Sequence, residues 1–130
     1  MTLRVTREAF DRLLTEAKDA GDDECCGLLL GREVVEEARP AANVARDRRR
    51  QFEIDPQALV DAHRAARAGG PAVIGYYHSH PAGAASPSAT DRAMAAGDGR
   101  VWAIVAPGGV TFWRDDGKGF AALPYAIEDR

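Results

Sequence analysis

Residues 72–80 read Ala-Val-Ile-Gly-Tyr-Tyr-His-Ser-His, an apolar run that closes on two histidines one residue apart. Gly69-Gly70-Pro71 precedes the run and Pro81 follows it, and the segment between these breakers predicts a central β-strand. Side chains at i and i+2 of a strand share a face, so His78 and His80 can aim two imidazoles at one point, whereas a helix would turn them apart. A second run, Glu24-Cys-Cys-Gly-Leu-Leu-Leu-Gly31, is short, apolar and closed by glycine, and predicts a buried strand.

Helical periods surround these runs. Phe10, Leu13, Leu14 and Ala17 form one stripe of a helix from Thr6 to Ala20, with Thr6 as cap, Glu8 in the first turn and Gly21 as stop. Asp55-Pro56 opens a second helix carrying Leu59, Val60, Ala62 and His63. A third starts near Ser88, after a loop rich in proline, glycine and alanine. Val34-Val35 and Ala42-Asn43-Val44 read as two short strands, and Gln51–Ile54 alternates as a half-buried strand does. Val101–Val105 and Val110–Trp113 predict a hairpin around Pro107-Gly108-Gly109, with Phe120–Leu123 as a last strand. The expected class is α+β, a mostly antiparallel mixed sheet flanked by helices.

Composition narrows the function classes. With 130 residues, 45% of them hydrophobic, the chain is expected to form a single domain over residues 1–130 with a core that needs no disulfide staple. No apolar run reaches the ~20 residues of a membrane span, and the N-terminus lacks a signal-peptide stretch; a cytoplasmic protein without membrane contact is expected. A net charge of −3 argues against nucleic acid as partner. Cys25 and Cys26 are adjacent, which suits neither a disulfide nor a metal clip and reads as strand packing.

Chemistry concentrates in His78-Ser79-His80-Pro81 and Pro87-Ser88-Ala89-Thr90-Asp91. Two imidazoles and a carboxylate form a catalytic zinc site in which water takes the fourth position. Asp91 supplies that carboxylate if the loop after Pro81 folds back. Each piece also has a plainer reading: the histidines as a surface pair, and Ser88-x-x-Asp91 as a helix cap. A hydrolytic site also wants a base, and Glu24 is the glutamate at the head of an apolar strand; on spacing alone it is equally an exposed edge carboxylate.

These segments, in this order, resemble the JAMM (MPN+) metalloprotease family: a glutamate heading a strand, then His-x-His-Pro, then Ser-x-x-Asp one loop further on. The resemblance spans most of the chain and implies the cytidine-deaminase-like JAMM/MPN architecture. It implies zinc held by His78, His80 and Asp91, Glu24 as general acid/base, and Ser88 as hydrogen-bond donor to the oxyanion. The implied reaction is hydrolysis of a peptide or isopeptide bond after the C-terminal Gly-Gly of a ubiquitin-like or sulfur-carrier protein, by a monomer or homodimer. The stretch from Asp91 to Val101 has no room for the long insertions with which eukaryotic deubiquitinases grip polyubiquitin.

Two rivals remain at this level. A zinc deaminase would need a Pro-Cys-x-x-Cys ligand pair, which Cys25-Cys26 does not provide. A non-catalytic, metal-stabilised interaction module would keep the ligands without turnover. The basic cluster Arg46–Arg50 reads as a solvated loop, with an acidic carrier-protein surface as its other possible contact. Phe52, Trp102, Phe112 and Trp113 read as packing, and one of Tyr76 and Tyr77 is expected to wall the site.

Overall fold

The structure is a computed structural model, and it describes residues 2–130. Its elements run β1 (Leu3–Thr6), α1 (Arg7–Ala20), β2 (Cys26–Gly31), β3 (Val34–Ala41), α2 (Pro56–Arg67), β4 (Ala72–Ser79), α3 (Ala89–Met94), β5 (Val101–Ala106), β6 (Gly109–Asp115), β7 (Phe120–Leu123) and β8 (Tyr125–Glu128). All eight strands share one sheet in the order β7-β6-β5-β4-β2-β3-β1-β8. The β2, β3, β4 and β5–β7 ladders are antiparallel except for β4·β5, while β1 runs parallel to both β3 and β8. The mixed, helix-flanked sheet expected from the sequence is therefore present.

Both faces of the sheet are buried. On one, Val5, Leu29, Val35, Tyr77, Ala103 and Phe112 pack with Ala9 and Leu13 of α1. On the other, Cys26, Leu28, Leu30 and Trp102 pack with Ala62 of α2 and with Phe52 and Ile54. This split follows from the two-residue period of the strands: Tyr77 belongs to the α1 face and Tyr76 to the opposite one. Tyr76 therefore shares its face with His78 and His80.

Caps set the helix starts as the sequence predicts. The Thr6 hydroxyl accepts from the Ala9 amide at 3.1 Å and Asp55 accepts from Gln57 at 3.1 Å. Gly21, at φ 60°, ends α1 in a conformation that favours glycine. Gly75 serves β4 differently: a Cβ there would lie 1.7 Å from the Val101 carbonyl oxygen, so the parallel approach of β5 requires its absence.

Several expectations need correction. Val34-Val35 and Ala42-Asn43-Val44 are not two strands: one strand runs from Val34 to Ala41, and Asn43 makes only an isolated bridge to Ile54. Pro40 is tolerated because β1 accompanies β3 only at Val34 and Val35, leaving its far half an edge. Gln51–Ile54 forms no continuous strand either, although its alternation is real, with Phe52 and Ile54 buried. The strand expected from Glu24 starts at Cys26. Finally, β1 and β8 had no predicted counterpart. They pair with each other over four residues, Leu3↔Tyr125 to Thr6↔Glu128. Since β7 and β8 are joined through Pro124 alone yet stand at opposite ends of the strand order, the sheet curls until its ends approach. Tyr125 closes that seam, its ring centroid 4.6 Å from Phe112 and its hydroxyl donating to the Val110 carbonyl at 2.9 Å.

Candidate metal centre

Strand register brings the separated segments together. In the antiparallel β2·β4 ladder Cys26 lies opposite His78, and continuing that register by two residues sets Glu24 across from His80 on the same face. Hydrogen bonds carry the pairing past the strand ends: the Ser79 amide donates to the Cys25 carbonyl at 3.1 Å, and the Cys25 amide to the Ser79 hydroxyl at 2.9 Å. On the other flank the His80 amide donates to the Val105 carbonyl at 2.8 Å. The end of β4 is thus pinned from both sides.

The loop after Pro81 folds back and delivers α3. Ser88 caps it by accepting from the Asp91 amide at 3.0 Å, and Asp91 Oδ2 accepts from the Ser88 amide at 3.0 Å, a reciprocal capping box. The same Oδ2 lies 3.0 Å from His78 Nε2 and 3.1 Å from His80 Nε2, and the two Nε2 atoms are 3.0 Å apart. The cap reading of Ser88-x-x-Asp91 is therefore correct, and the same box orients the carboxylate toward the imidazoles, as a ligand role would need.

This triangle fits a divalent metal ion. Three electron-pair donors crowd one point while His78 is fully buried and Asp91 is 3% exposed, and like-natured nitrogens at such separation are stabilised by a shared cation. The ionisation states suit it as well. Burial pushes His78 below its ordinary value against the opposing pull of Asp91, which favours the neutral imidazole a metal needs. Burial opposes ionisation of Asp91, but the bonds to His78 and His80 outweigh it and hold the carboxyl well below the usual carboxylate range. For His80 the hydrogen bond to Asp91 raises the value, against desolvation. His80 Nδ1 donates to the Ala84 carbonyl at 2.8 Å, fixing the tautomer whose Nε2 lone pair faces the cluster.

Glu24 and Ser88 line one cleft with His80. Glu24 is 7% exposed, and its Oε1 has no hydrogen-bond partner among the described residues. Burial above all pushes its pKa up to about 7, with His80 lowering it and Asp91 raising it. A buried, unpartnered carboxylate poised near neutrality is what a proton-transfer residue requires, and it is unlike a solvated strand edge. Ser88 spends a lone pair on its cap, which leaves the O–H free to donate into the cleft.

Other residues hold the site without having been singled out for it. Asn43 donates from Nδ2 to the Glu24 carbonyl at 2.9 Å and the Gln51 carbonyl at 3.0 Å, while its Oδ1 accepts from the Ala45 and Glu53 amides, each at 3.0 Å. With the Glu24 amide donating to the Arg48 carbonyl at 2.6 Å, residue 24 is clamped to the 43–53 loop through both backbone groups. Its only sequence signal was a short polar interruption between hydrophobic stretches. Phe52 stacks on His78 at 4.2 Å between ring centroids, and Trp102 meets it edge-on at 5.7 Å, so these packing aromatics also wall the His78 imidazole. Arg46–Arg50 is exposed as expected, but Arg49 and Arg50 also line the Glu24 cleft. Cys25 and Cys26 are free thiols. No helix among the described residues is long and apolar enough to cross a membrane.

Comparison with known proteins agrees with this geometry. The family of prokaryotic homologues of the JAB domain matches residues 6–116. The chain is 37% identical over 134 residues to the protein named Desampylase from Haloferax volcanii, covering 97% of this chain and 96% of that one. It is 39% identical over 84 residues to the protein named "Probable TtuB-protein conjugate cleaving protease" from Thermus thermophilus, covering 65% of this chain and 54% of the relative. A solution structure from Desulfitobacterium hafniense superposes with a TM-score of 0.87 at 26% identity, covering 99% of this chain and 94% of the other. The matched span contains Glu24, both histidines and the Ser88–Asp91 box, and on that ground the chain belongs to the prokaryotic JAB-domain family.

Proposed function

We propose that this protein is a zinc-dependent peptidase or isopeptidase that hydrolyses the amide bond after the C-terminal Gly-Gly of a ubiquitin-like or sulfur-carrier protein, with residues 1–130 acting as one domain. The observation that carries the reading is the convergence, at one sheet end, of the His78–His80–Asp91 triangle and the buried Glu24 carboxylate. The names of the Haloferax and Thermus relatives support the substrate class, the second being described as cleaving protein conjugates.

In this reading His78 Nε2, His80 Nε2 and Asp91 Oδ2 hold the metal. Zinc in such a set supplies a Lewis acid for the amide carbonyl and brings the acidity of water near neutrality. Glu24 takes the proton from the attacking water and returns it to the nitrogen of the leaving amine. The Ser88 hydroxyl donates to the carbonyl oxygen as it gains charge. Asn43 sets the height of Glu24 above the cluster, and the Phe52 and Trp102 rings keep water from the inner edge of His78. Glycine at the two positions before the cut lets the substrate backbone pass close to the ligands.

The test is hydrolysis of a ubiquitin-fold protein joined through its Gly-Gly terminus to a lysine side chain, followed by intact mass. Zinc-loaded wild type should release both parts, and Glu24→Gln should retain zinc while slowing turnover on the order of a hundredfold or more. Unchanged turnover by that variant would remove Glu24 from the chemistry. His80→Ala should lose the metal by elemental analysis, and full zinc occupancy there would overturn the ligand assignment.

A further inference from the structure

Two clefts meet at His80, and they differ in character. One, about 300 Å3, runs between α1 and the β5–β6 turn past Leu14, Ala17, Val105 and Pro107 and is mostly apolar. The other, about 420 Å3, contains Glu24 and Ser88 and is rimmed by Arg49 and Arg50. If Glu24 returns a proton to the leaving nitrogen, as proposed above, that nitrogen must lie beside Glu24, so the group departing with it occupies the arginine-rimmed cleft. The geometry points to Arg49 and Arg50 as the residues that recognise a carboxylate carried by the leaving amine. The inference rests on the hydrolytic reading of the same site.

Three observations support it. The guanidinium groups are not consumed inside the protein: Arg49 has no carboxylate within 4.0 Å among the described residues, and Arg50 only an exposed Asp47 oxygen at 3.7 Å. Neither forms an ion pair with Glu24, so both guanidinium groups remain available to a ligand. The loop that carries them is fixed, not loose: the four Asn43 bonds close it, the Arg48 carbonyl accepts from Glu24, and the Arg50 and Gln51 amides donate to the Asp47 carbonyl at 3.2 and 3.0 Å. Arginines carried on a fixed backbone beside a reacting centre favour a planar anion through paired N–H donors. On a leaving amine that anion is a carboxylate, from one of two sources. It is the α-carboxylate when a single amino acid leaves, or an acidic side chain beside a modified lysine when a protein leaves.

The test uses two pairs of synthetic peptides. One ends in Gly-Gly-Ala as the free acid or as the carboxamide. The other carries Gly-Gly on the side chain of a lysine flanked by aspartates or by asparagines. Zinc-loaded wild type should favour the anionic member of at least one pair by about tenfold in kcat/KM, the scale of a few partly exposed charge contacts. Arg49→Ala/Arg50→Ala should bring that ratio to near one, and Arg49→Lys/Arg50→Lys should keep part of it. Preference in the first pair identifies a departing amino acid, and preference in the second an acidic acceptor protein. A wild-type ratio of one in both pairs, or a ratio untouched by the alanine variant, overturns the assignment. The same pairs titrated by NMR into zinc-loaded Glu24→Gln, with and without the arginine substitutions, read the preference as affinity. Should wild type cleave none of the peptides, the affinity ratio decides whether these arginines select carboxylates, and the ubiquitin-fold conjugate described above decides the hydrolytic reading.

Discussion

At the scale of single residues, the site depends on what each polar group is denied as much as on what it is given. Glu24 is deprived of water and of a partner, and this moves its pKa up to about 7. A carboxyl with a higher pKa folded than unfolded binds its proton more tightly in the fold. Metal-free protein should then lose stability as pH rises from the ordinary value of 4.5 to about 7, because the buried group must ionise. Glu24→Gln abolishes that cost, so the metal-free variant should melt on the order of 10 °C above metal-free wild type at pH 8 and level with it at pH 4. Thermal scans at the two pH values check the sign, and an equal gap at both would refute it. Asn43 is the opposite case, with all four side-chain hydrogen bonds made. Asn43→Ala should cost ~3 kcal/mol by urea titration, since it orphans two carbonyls and two amides. It should also lower kcat about tenfold with zinc content unchanged, because it loosens Glu24 and leaves the ligands alone.

At the scale of elements, the site is made where strand ends and one helix start meet. β4 delivers both histidines because it is an inner strand held by β2 and β5, and its parallel contact with β5 depends on Gly75. Gly75→Ala would drive a methyl group into the Val101 carbonyl, so a loss of ~3 kcal/mol in urea is expected, together with weaker zinc retention as the end of β4 shifts. The α3 start works through its cap. Ser88→Ala should cost ~1 kcal/mol from the cap and slow turnover on the order of a hundredfold through the lost donor, while Ser88→Thr should recover stability and part of the rate. Most of these elements are legible in the sequence, since α1, α2, β4 and the β5–β6 hairpin each carry their period and their caps locally. β1 and β8 are not: Leu3–Thr6 and Tyr125–Glu128 are strands only because each completes the other's ladder across the whole chain. The single strand Val34–Ala41 was hidden for a related reason, since Glu36, Glu37 and Pro40 break the local pattern while the β2 ladder holds the backbone extended.

At the scale of the molecule, the metal triangle stands at one end of a sheet whose two faces carry their own hydrophobic clusters, and only His78 packs against one of them, through Phe52 and Trp102. The core therefore does not need the ion to form, unlike a small domain folded around its metal. Chelation should abolish hydrolysis and lower the melting temperature through the lost binding energy, while leaving the far-UV circular dichroism unchanged. Unfolding on chelation would favour the metal-stabilised interaction module over the enzyme. What the sequence alone settles here is periodicity, caps and the pairing of two imidazoles on one face, because these follow from contacts a few residues long. It also carries the order of Glu24, His78, His80, Ser88 and Asp91, which sufficed for the family resemblance. The placing of Glu24 beside His80, the clamping by Asn43, the stacking of Phe52 on His78 and the position of Arg49 and Arg50 at the cleft were decided only by tertiary structure. Each depends on the register between strands or loops distant in sequence, and register is fixed by burial over the whole sheet, which no local stretch of residues encodes.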